Sequence, residues 1–259
     1  MVSRPVALVT GAARRIGREI ALHLASSGHD VAVHFHRSSD DARATVADAV
    51  AAGAQAAAFR ADLSDEADCR SLVSAVIARF GRLDAVVNSA SLFDYDAPQT
   101  FGHTAMERHW RANTAPAVLL AADLHRHLAE RDACGCVVNL LDQKLANPNP
   151  DYFSYTLSKA ALEAATVMLA QAYAPRLRVC GVSPGVTLVS GPMNPSEFTA
   201  AHGLTPLGRS SRPADIAGAV RFLIESPAIT GTTLLVDGGQ HLQAQPRDVL
   251  FLANPTKAV

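Results

Sequence analysis

The sequence predicts a single-domain, doubly wound α/β fold in which about seven parallel strands form a sheet with helices on both faces. Short runs rich in β-branched residues alternate with longer helical patterns from end to end. Most runs are apolar throughout, as expected for parallel strands covered on both faces, and the segments between them are long enough for crossover helices. No composition break, repeat or low-complexity linker divides the chain, so residues 1–259 are expected to form one domain.

Seven strands are expected, in chain order, over residues 6–11, 30–36, 54–62, 83–91, 135–142, 177–185 and 231–239. The long segment after the sixth strand, residues 186–211, lacks clear periodicity and is rich in Gly, Pro, Ser and Thr. A long loop beyond the carboxyl end of a strand is where ligands bind in such folds, so it is predicted to be a substrate-binding loop. The alternative is a disordered surface insertion. Residues 241–259 are expected to form a C-terminal tail.

Composition points to a small-molecule partner. The formal net charge is -1 and the isoelectric point is about 6.8, whereas nucleic acid or an anionic membrane demands a basic face. The first residues lack the pattern of a signal peptide, and no uncharged apolar run reaches the length of a membrane span. With four cysteines, too few for a disulfide framework, a cytoplasmic location is expected. The ten histidines show no metal-ligand spacing, so no metal is expected.

A glycine-containing turn, TGAARRIG, joins the first strand to the first helix. Such a turn lets backbone N–H groups and a helix N-terminus face a pyrophosphate group. The residues placed around that group are Gly11, Arg14, Arg15, Ile16 and Gly17. The turn does not match the G-x-G-x-x-G pattern, and similar turns are common in α/β proteins, so alone it is a weak indication.

The end of the second strand discriminates between cofactors. A site for NAD would end this strand with an acidic residue that accepts hydrogen bonds from the ribose hydroxyls. Here the strand ends at His36, Arg37 and Ser38. A guanidinium grips a 2'-phosphate with two parallel hydrogen bonds, and a hydroxyl adds a third. NADPH is therefore the predicted cofactor. The alternative is that Arg37 is a solvent-exposed loop residue that contacts no cofactor.

A Tyr-x-x-x-Lys pair, Tyr155 and Lys159, lies on the helix predicted after the fifth strand. Residues four apart share one face of a helix. The ordinary pKa of a tyrosine phenol is near 10, and a nearby cation lowers it by favouring the ionised form. Lys159 is expected to supply that cation and Tyr155 to act as proton donor. The alternative is a surface pair that occurs by chance, so this motif indicates a catalytic site only in combination with other motifs.

Together these motifs resemble the short-chain dehydrogenase/reductase family over nearly the whole chain. The turn fits the T-G-x-x-x-G-x-G pattern of that family, except that Arg15 replaces the middle glycine. The other matching pieces are Asn88 and Ala90 after the fourth strand, Asn113 at the opening of the next helix, Ser183-Pro184-Gly185 and Val236-Asp237-Gly238-Gly239. The resemblance implies a Rossmann-type oxidoreductase in which the nicotinamide cofactor carries the redox chemistry.

The same resemblance implies roles for further residues. Asn113 would help to hold a water that links Lys159 to solvent, and family members usually form homotetramers through their helices. Asp62 and Leu63 would meet the adenine, although Asp62 could instead cap the following helix. The remaining residues implied to bind the cofactor are Asn88, Ser89, Ala90, Tyr155, Lys159, Pro184 and Gly185.

Asp142 departs from the common family pattern. It lies thirteen residues before Tyr155, where most members carry a serine whose hydroxyl donates to a substrate carbonyl oxygen. An ionised carboxylate only accepts hydrogen bonds and repels a developing oxyanion, so it disfavours ketone reduction. Reduction of a C=N bond ends with a proton on nitrogen, which an Asp–Tyr pair can relay. Asp142 and the stretches TGAARRIG, HFHRS and NSASLF resemble the pteridine reductase branch of the family.

In that branch an aromatic residue five positions after Asn88 forms one side of a sandwich that holds the pterin against the nicotinamide. Here it is Phe93, and a flat heteroaromatic ring gains from offset stacking on it; core packing is the alternative role. The residues implied to contact the substrate are Arg15, Ser91, Phe93, Asp142, Tyr155 and Leu188.

The predicted activity is therefore NADPH-dependent reduction of a pterin or dihydropterin, with dihydrofolate as a further candidate. Two alternatives stay open at this point. One is an NADPH-dependent carbonyl reductase that acts on a 3-oxoacyl or sugar-like ketone. The other is an NADPH-binding regulator without catalysis.

Overall fold

One parallel sheet of seven strands organises residues 4–191 and 193–253, the part of the chain that this computed structural model describes. The strands are β1 (Val6–Val9), β2 (Asp30–Phe35), β3 (Ala56–Arg60), β4 (Ala85–Asn88), β5 (Gly135–Leu140), β6 (Leu177–Pro184) and β7 (Thr233–Val236). Their order is β3-β2-β1-β4-β5-β6-β7, with every neighbouring pair parallel. Each strand lies within a range expected from the sequence, and the predicted fold class is confirmed.

Within the described residues, nine α-helices accompany the sheet. They are α1 (Arg15–Ser26), α2 (Ser39–Ala51), α3 (Glu66–Phe80), α4 (His103–His109), α5 (Ala115–Glu130), α6 (Phe153–Tyr173), α7 (Pro195–Gly203), α8 (Pro213–Glu225) and α9 (Val249–Ala253). A π-helical turn, Trp110–Thr114, joins α4 to α5, and short 3-10 turns span Gln143–Ala146 and Gln240–Leu242. None of the helices in these ranges has the length and apolar character needed to cross a bilayer.

Two apolar layers attach the helices to the sheet, because successive strand residues point to opposite faces. On one face, Val9 belongs to the same buried cluster as Leu24 of α1 and Val220 of α8. On the other face, Leu8 shares a cluster with Leu124 of α5. All five side chains are fully buried, and each contributes about 1.5–3 kcal/mol by leaving water. The carboxyl ends of the strands are thus held on a rigid scaffold.

The segment 186–211 contains regular structure, which corrects the expectation of a loop without periodicity. Helix α7 begins there with a capping box, in which the Asn194 side chain accepts from the Glu197 N–H (2.9 Å) and the Glu197 carboxylate accepts from the Asn194 N–H (2.8 Å). Pro195 occupies the first turn, where its missing N–H costs nothing. Pro192, within the predicted loop, lies outside the described residues.

The predicted C-terminal tail is also structured over residues 241–253. It includes the end of the 3-10 turn at Gln240–Leu242 and helix α9, where Leu250 and Phe251 are buried. Residues 254–259 of the predicted tail lie outside the described residues.

Candidate active site

A cleft of about 800 Å³ opens at the carboxyl ends of the strands. It lies where the strand order reverses between β1 and β4, the position at which open α/β sheets bind ligands. Its walls come from the turn after β1, the ends of β2 and β4, the segment between β5 and α6, the segment after β6, and the C-terminal tail.

Most of the residues predicted from the sequence meet in this cleft. Those that line it are Gly11, Arg14, Arg15, Ile16, Gly17, His36, Arg37, Ser38, Ser89, Ala90, Ser91, Phe93, Asp142, Tyr155, Lys159, Pro184, Gly185 and Leu188. Asn88, Asn113, Asp62 and Leu63 are not among the lining residues. Asn88 is buried and donates to the Asn139 side chain (2.8 Å), and Leu63 packs against the second apolar layer.

The turn after β1 has the shape of an anion cradle. Gly11 has a φ of +64°, and a Cβ added to it would lie 3.0 Å from the Cα of Ala90. A Cβ on Gly17 would lie 2.4 Å from the Gly11 oxygen, so neither position accepts a side chain. No acidic residue lies in the first turn of α1, and the N-cap residue Arg14 makes no side-chain capping bond. Backbone N–H groups at the positive end of the helix dipole therefore suit a pyrophosphate.

Arg15 adopts the backbone conformation that glycine would have there. Its φ is +57°, in the left-handed region, where a residue with a Cβ loses about 1–2 kcal/mol. This explains why the common family pattern has a glycine at this position. The guanidinium of Arg15 donates to the carbonyl of Val189 (2.9 Å), so it ties the turn to the segment after β6.

His34 supports the same turn from β2, a role that sequence analysis missed. Its Nδ1 accepts from the Gly11 N–H (3.1 Å) and its Nε2 lies 3.2 Å from the Ala61 carbonyl. These contacts require the neutral ring with its proton on Nε2, and burial lowers the pKa of His34 to about 4. The only sequence signal was a histidine inside an apolar strand.

The end of β2 presents cationic and hydroxyl groups to the cleft. The side chains of His36 and Arg37 are exposed, and Ser38 is the N-cap residue of α2. The Asp62 carboxylate lies 3.6 Å from His36 Nε2, and its hydrogen bonds with Ser64 lower the pKa of Asp62. The donor set fits a 2'-phosphate. Helix α3 is capped by Asp65, which accepts from the Asp68 N–H (3.0 Å), so Asp62 is not its cap.

At the centre of the cleft a phenol and a carboxylate are in direct contact. The Tyr155 hydroxyl donates to Oδ2 of Asp142 (2.8 Å), and the Lys144 N–H donates to Oδ1 of Asp142 (2.9 Å). Lys159 is buried, and its Nζ donates to the Leu140 carbonyl (2.7 Å). Helix α6 carries both Tyr155 and Lys159, whereas Asp142 follows β5, so two rigid elements set this geometry.

Burial dominates the protonation equilibria of these groups. It raises the pKa of Asp142, raises the pKa of Tyr155 well above its ordinary value, and lowers the pKa of Lys159 to about 8. The direction for Tyr155 is opposite to the one expected from Lys159. The first reason is the burial of the phenol, and the second is the Asp142 carboxylate that accepts its hydrogen bond. Because a hydrogen bond joins them, the protonation of Tyr155 and that of Asp142 are linked.

Asn113 lies within the π-helical turn between α4 and α5, and not at the opening of a helix as expected. Its Oδ1 accepts from the Leu92 N–H (2.7 Å). Its Nδ2 donates to the Leu92 carbonyl and to the hydroxyl of Ser158 (3.0 Å each). Asn113 thus fixes the segment before Phe93 to helix α6.

Phe93 is partly buried beside the Tyr155–Asp142 pair. Its ring makes an edge contact with Tyr155 (4.7 Å between centroids), and one face stacks on Tyr152 (4.1 Å, interplanar angle 13°). Tyr152 also lines the cleft, but no motif indicated it. Because Tyr152 covers one face of Phe93, a bound ring can stack only on the opposite face.

The chain is similar to known reductases over most of its length. The profile of the family described as Enoyl-(Acyl carrier protein) reductase matches residues 11–241. The crystal structure of FolM Alternative dihydrofolate reductase 1 from Brucella canis, complexed with NADP, is 41% identical; the match covers 96% of this chain and 98% of that one, with a TM-score of 0.89. Granaticin polyketide synthase putative ketoacyl reductase 2 from Streptomyces violaceoruber is 37% identical (92% and 96% covered). The 3-oxoacyl-[acyl-carrier-protein] reductase of Synechocystis sp. is 32% identical (90% and 96% covered).

Proposed function

Since the chain belongs to the short-chain dehydrogenase/reductase family of oxidoreductases, we propose that it catalyses the NADPH-dependent reduction of a ring C=N bond in a pterin or dihydropterin. The observation that carries this proposal is the 2.8 Å hydrogen bond from Tyr155 to Asp142. It places a carboxylate where a ketone reductase needs a neutral donor, and it joins that carboxylate to the proton-donating phenol.

The cofactor would be held by the turn after β1 and the cationic end of β2. Gly11 and Gly17 leave room for the pyrophosphate, and Arg37 with Ser38 would bind the 2'-phosphate. When bound, NADPH supplies the hydride that reduces the ring carbon. The NADP found in the Brucella canis relative supports this assignment.

The chain's own contribution is to deliver a proton to nitrogen. Once the ring carbon is saturated, the adjacent nitrogen carries the electron pair of the former double bond and takes up one proton. Tyr155 retains its proton at neutral pH because burial raises its pKa, so it can give that proton to the nitrogen. The ionised Asp142 carboxylate, whose pKa burial also raises, would then take up a proton from solvent and pass it to Tyr155. Phe93 would hold the flat ring by stacking beside this pair.

A second candidate function, 3-oxoacyl reduction, is favoured by the ketoacyl and 3-oxoacyl reductases among the sequence relatives. Asp142 counts against it. A carboxylate that already accepts from Tyr155 and Lys144 has no proton to donate to a ketone oxygen while it is ionised, and its charge would oppose the developing oxyanion.

The experiment is to follow NADPH oxidation by the purified protein with 7,8-dihydrobiopterin, beside the variant Tyr155→Phe. We expect turnover by the natural protein and a loss of about 10²- to 10⁴-fold in the variant, because the proton donor is removed. NADPH affinity, measured by fluorescence titration, should be retained. Turnover of 3-oxoacyl thioesters alone would favour the second candidate, and no turnover of either substrate class by the natural protein would favour the regulator.

A further inference from the structure

The C-terminal segment 243–251 forms a wall of the cleft and is anchored by one buried carboxylate. Asp151 is 2% exposed and accepts from Nε and Nη2 of Arg247 (2.8 Å each) and from the Asp248 N–H (2.7 Å). Lys144 Nζ donates to the Asp151 carbonyl (2.6 Å). A bidentate guanidinium–carboxylate pair fixes geometry as well as adding energy. Its carboxylate is buried, and the Arg247 side chain is 44% exposed. Residues 151 and 247 thus lock the tail to the approach of helix α6.

The Asp151–Arg247 pair is here called the anchor. From it a continuous series of aromatic rings, here called the aromatic series, runs into the active site. Phe251 makes an edge contact with Tyr95 (5.8 Å), and Tyr95 makes an edge contact with Tyr152 (5.1 Å). Tyr152 stacks on Phe93 (4.1 Å), whose ring edge meets Tyr155 (4.7 Å). Each aromatic pair adds about 0.5–1.5 kcal/mol beyond its burial, so the rings hold one another in register.

The anchor reaches the outer end of the aromatic series directly. The Arg247 guanidinium, which bonds to Asp151, lies 4.3 Å from the centre of the Phe251 ring. The same side chain therefore holds both the carboxylate before α6 and the first ring of the aromatic series.

Tyr152 is the point at which the anchor and the aromatic series meet the catalytic helix. It follows Asp151 in the chain and directly precedes α6, with φ 54° and ψ 53° in the left-handed region. That conformation costs a residue with a Cβ about 1–2 kcal/mol and persists only where the surroundings impose it. Its ring is buried between Phe93 and Tyr95, with the Lys144 ammonium 5.6 Å from its centre.

We propose that Arg247 and Tyr152 are positioning residues for the substrate ring. The Arg247–Asp151 pair holds the tail, the aromatic series transmits that position to Tyr152, and Tyr152 fixes the plane of Phe93 on which the ring stacks. Because the aromatic series ends on Phe93 and on the edge of Tyr155, and not on the phosphate-binding turn, it acts on substrate affinity and not on cofactor binding. The identity of the ring rests on the proposed function.

The test compares Arg247→Gln and Tyr152→Leu with the natural protein. For 7,8-dihydrobiopterin we expect KM to rise about tenfold in each variant, with kcat within about threefold, because ring placement is loosened while the Tyr155–Asp142 pair stays. The Kd for NADPH should be unchanged. In Arg247→Gln, amide hydrogen exchange at Asp248 should speed up, because the N–H that donates to Asp151 is released. Tyr152→Phe keeps the ring and should restore the natural KM.

The matched control is Arg221→Gln on α8, which removes an exposed arginine paired with Glu225 and should change none of these values. Unchanged KM and unchanged exchange in Arg247→Gln would overturn the proposal. So would a joint loss of kcat and NADPH affinity, since that would show a general structural role. If the natural protein does not reduce pterins, the proposed function fails on that result. Hydrogen exchange at Asp248, and KM for the ketone that is reduced, then decide the positioning role separately.

Discussion

Replacing Asp142 with serine should lower kcat for 7,8-dihydrobiopterin by about 10- to 150-fold and leave NADPH binding intact. In the structure the Asp142 carboxylate accepts two hydrogen bonds, from Tyr155 (2.8 Å) and from the Lys144 N–H (2.9 Å). A serine hydroxyl is shorter and uncharged, so the bond to Tyr155 loses its charge assistance. Hydrogen bonds to charged groups contribute about 1.5–3 kcal/mol, and each 1.36 kcal/mol in the barrier changes the rate about tenfold.

The assay is steady-state NADPH oxidation, with kcat and KM measured for the dihydropterin and for a 3-oxoacyl thioester. The serine variant should also gain activity on the thioester, because its hydroxyl can donate to the carbonyl oxygen. Asp142→Asn is the matched control for size, since it keeps an acceptor but cannot carry the relayed proton, and it should be slow with the dihydropterin. Unchanged dihydropterin turnover in Asp142→Ser would refute the role assigned to the carboxylate.

Four further predictions concern the cofactor and the charged groups. Arg37→Asp should weaken NADPH binding by about 10- to 100-fold in a fluorescence titration, as expected for a lost charge-assisted pair, with NADH binding little changed. If the variant still preferred NADPH, the 2'-phosphate site would lie elsewhere. The kcat for the dihydropterin should fall as pH rises through about 8, where Lys159 loses its charge. A kcat that stayed constant to a pH well above 8 would contradict this. His34→Phe should weaken NADPH binding by about 1 kcal/mol, since the Gly11 N–H loses its acceptor, and unchanged affinity would exclude that support. Because of His34, the natural protein should lose thermal stability as pH falls from about 6.5 toward 4. In that range the imidazole of the unfolded chain is protonated, whereas the buried ring of the folded protein stays neutral. A His34→Phe variant with the same pH dependence of stability would contradict this.

The sheet was predictable because its signal is local. Parallel strands covered on both faces need continuous apolar runs, and residues such as Val6–Val9 and Gly135–Leu140 supply them without help from distant parts of the chain. The glycine turn and the Tyr155–Lys159 spacing are likewise set by neighbours in sequence. The homotetramer and the cytoplasmic location stay predictions.

The substrate side of the cleft could not be predicted in the same way. The anchor joins Asp151 to Arg247 across 96 positions, and the aromatic series joins residues from three separate segments. The periodicity of apolar residues along the sequence does not indicate such contacts, because only the folded sheet brings these segments together. The predicted direction of the Tyr155 pKa shift was wrong for a related reason. The shift depends on the burial of the phenol and on the Asp142 carboxylate that accepts its hydrogen bond, and the fold sets both.

The most direct test is a competition in one vessel. The natural protein and limiting NADPH would be mixed with 7,8-dihydrobiopterin and a 3-oxoacyl thioester at equal concentrations, and both products quantified over time, which gives the ratio of the two kcat/KM values. If the carboxylate at position 142 selects a ring-nitrogen substrate, tetrahydropterin will accumulate while the thioester is left unreduced. Formation of the 3-hydroxyacyl product with the dihydropterin left intact would contradict the proposal and establish carbonyl reduction in its place.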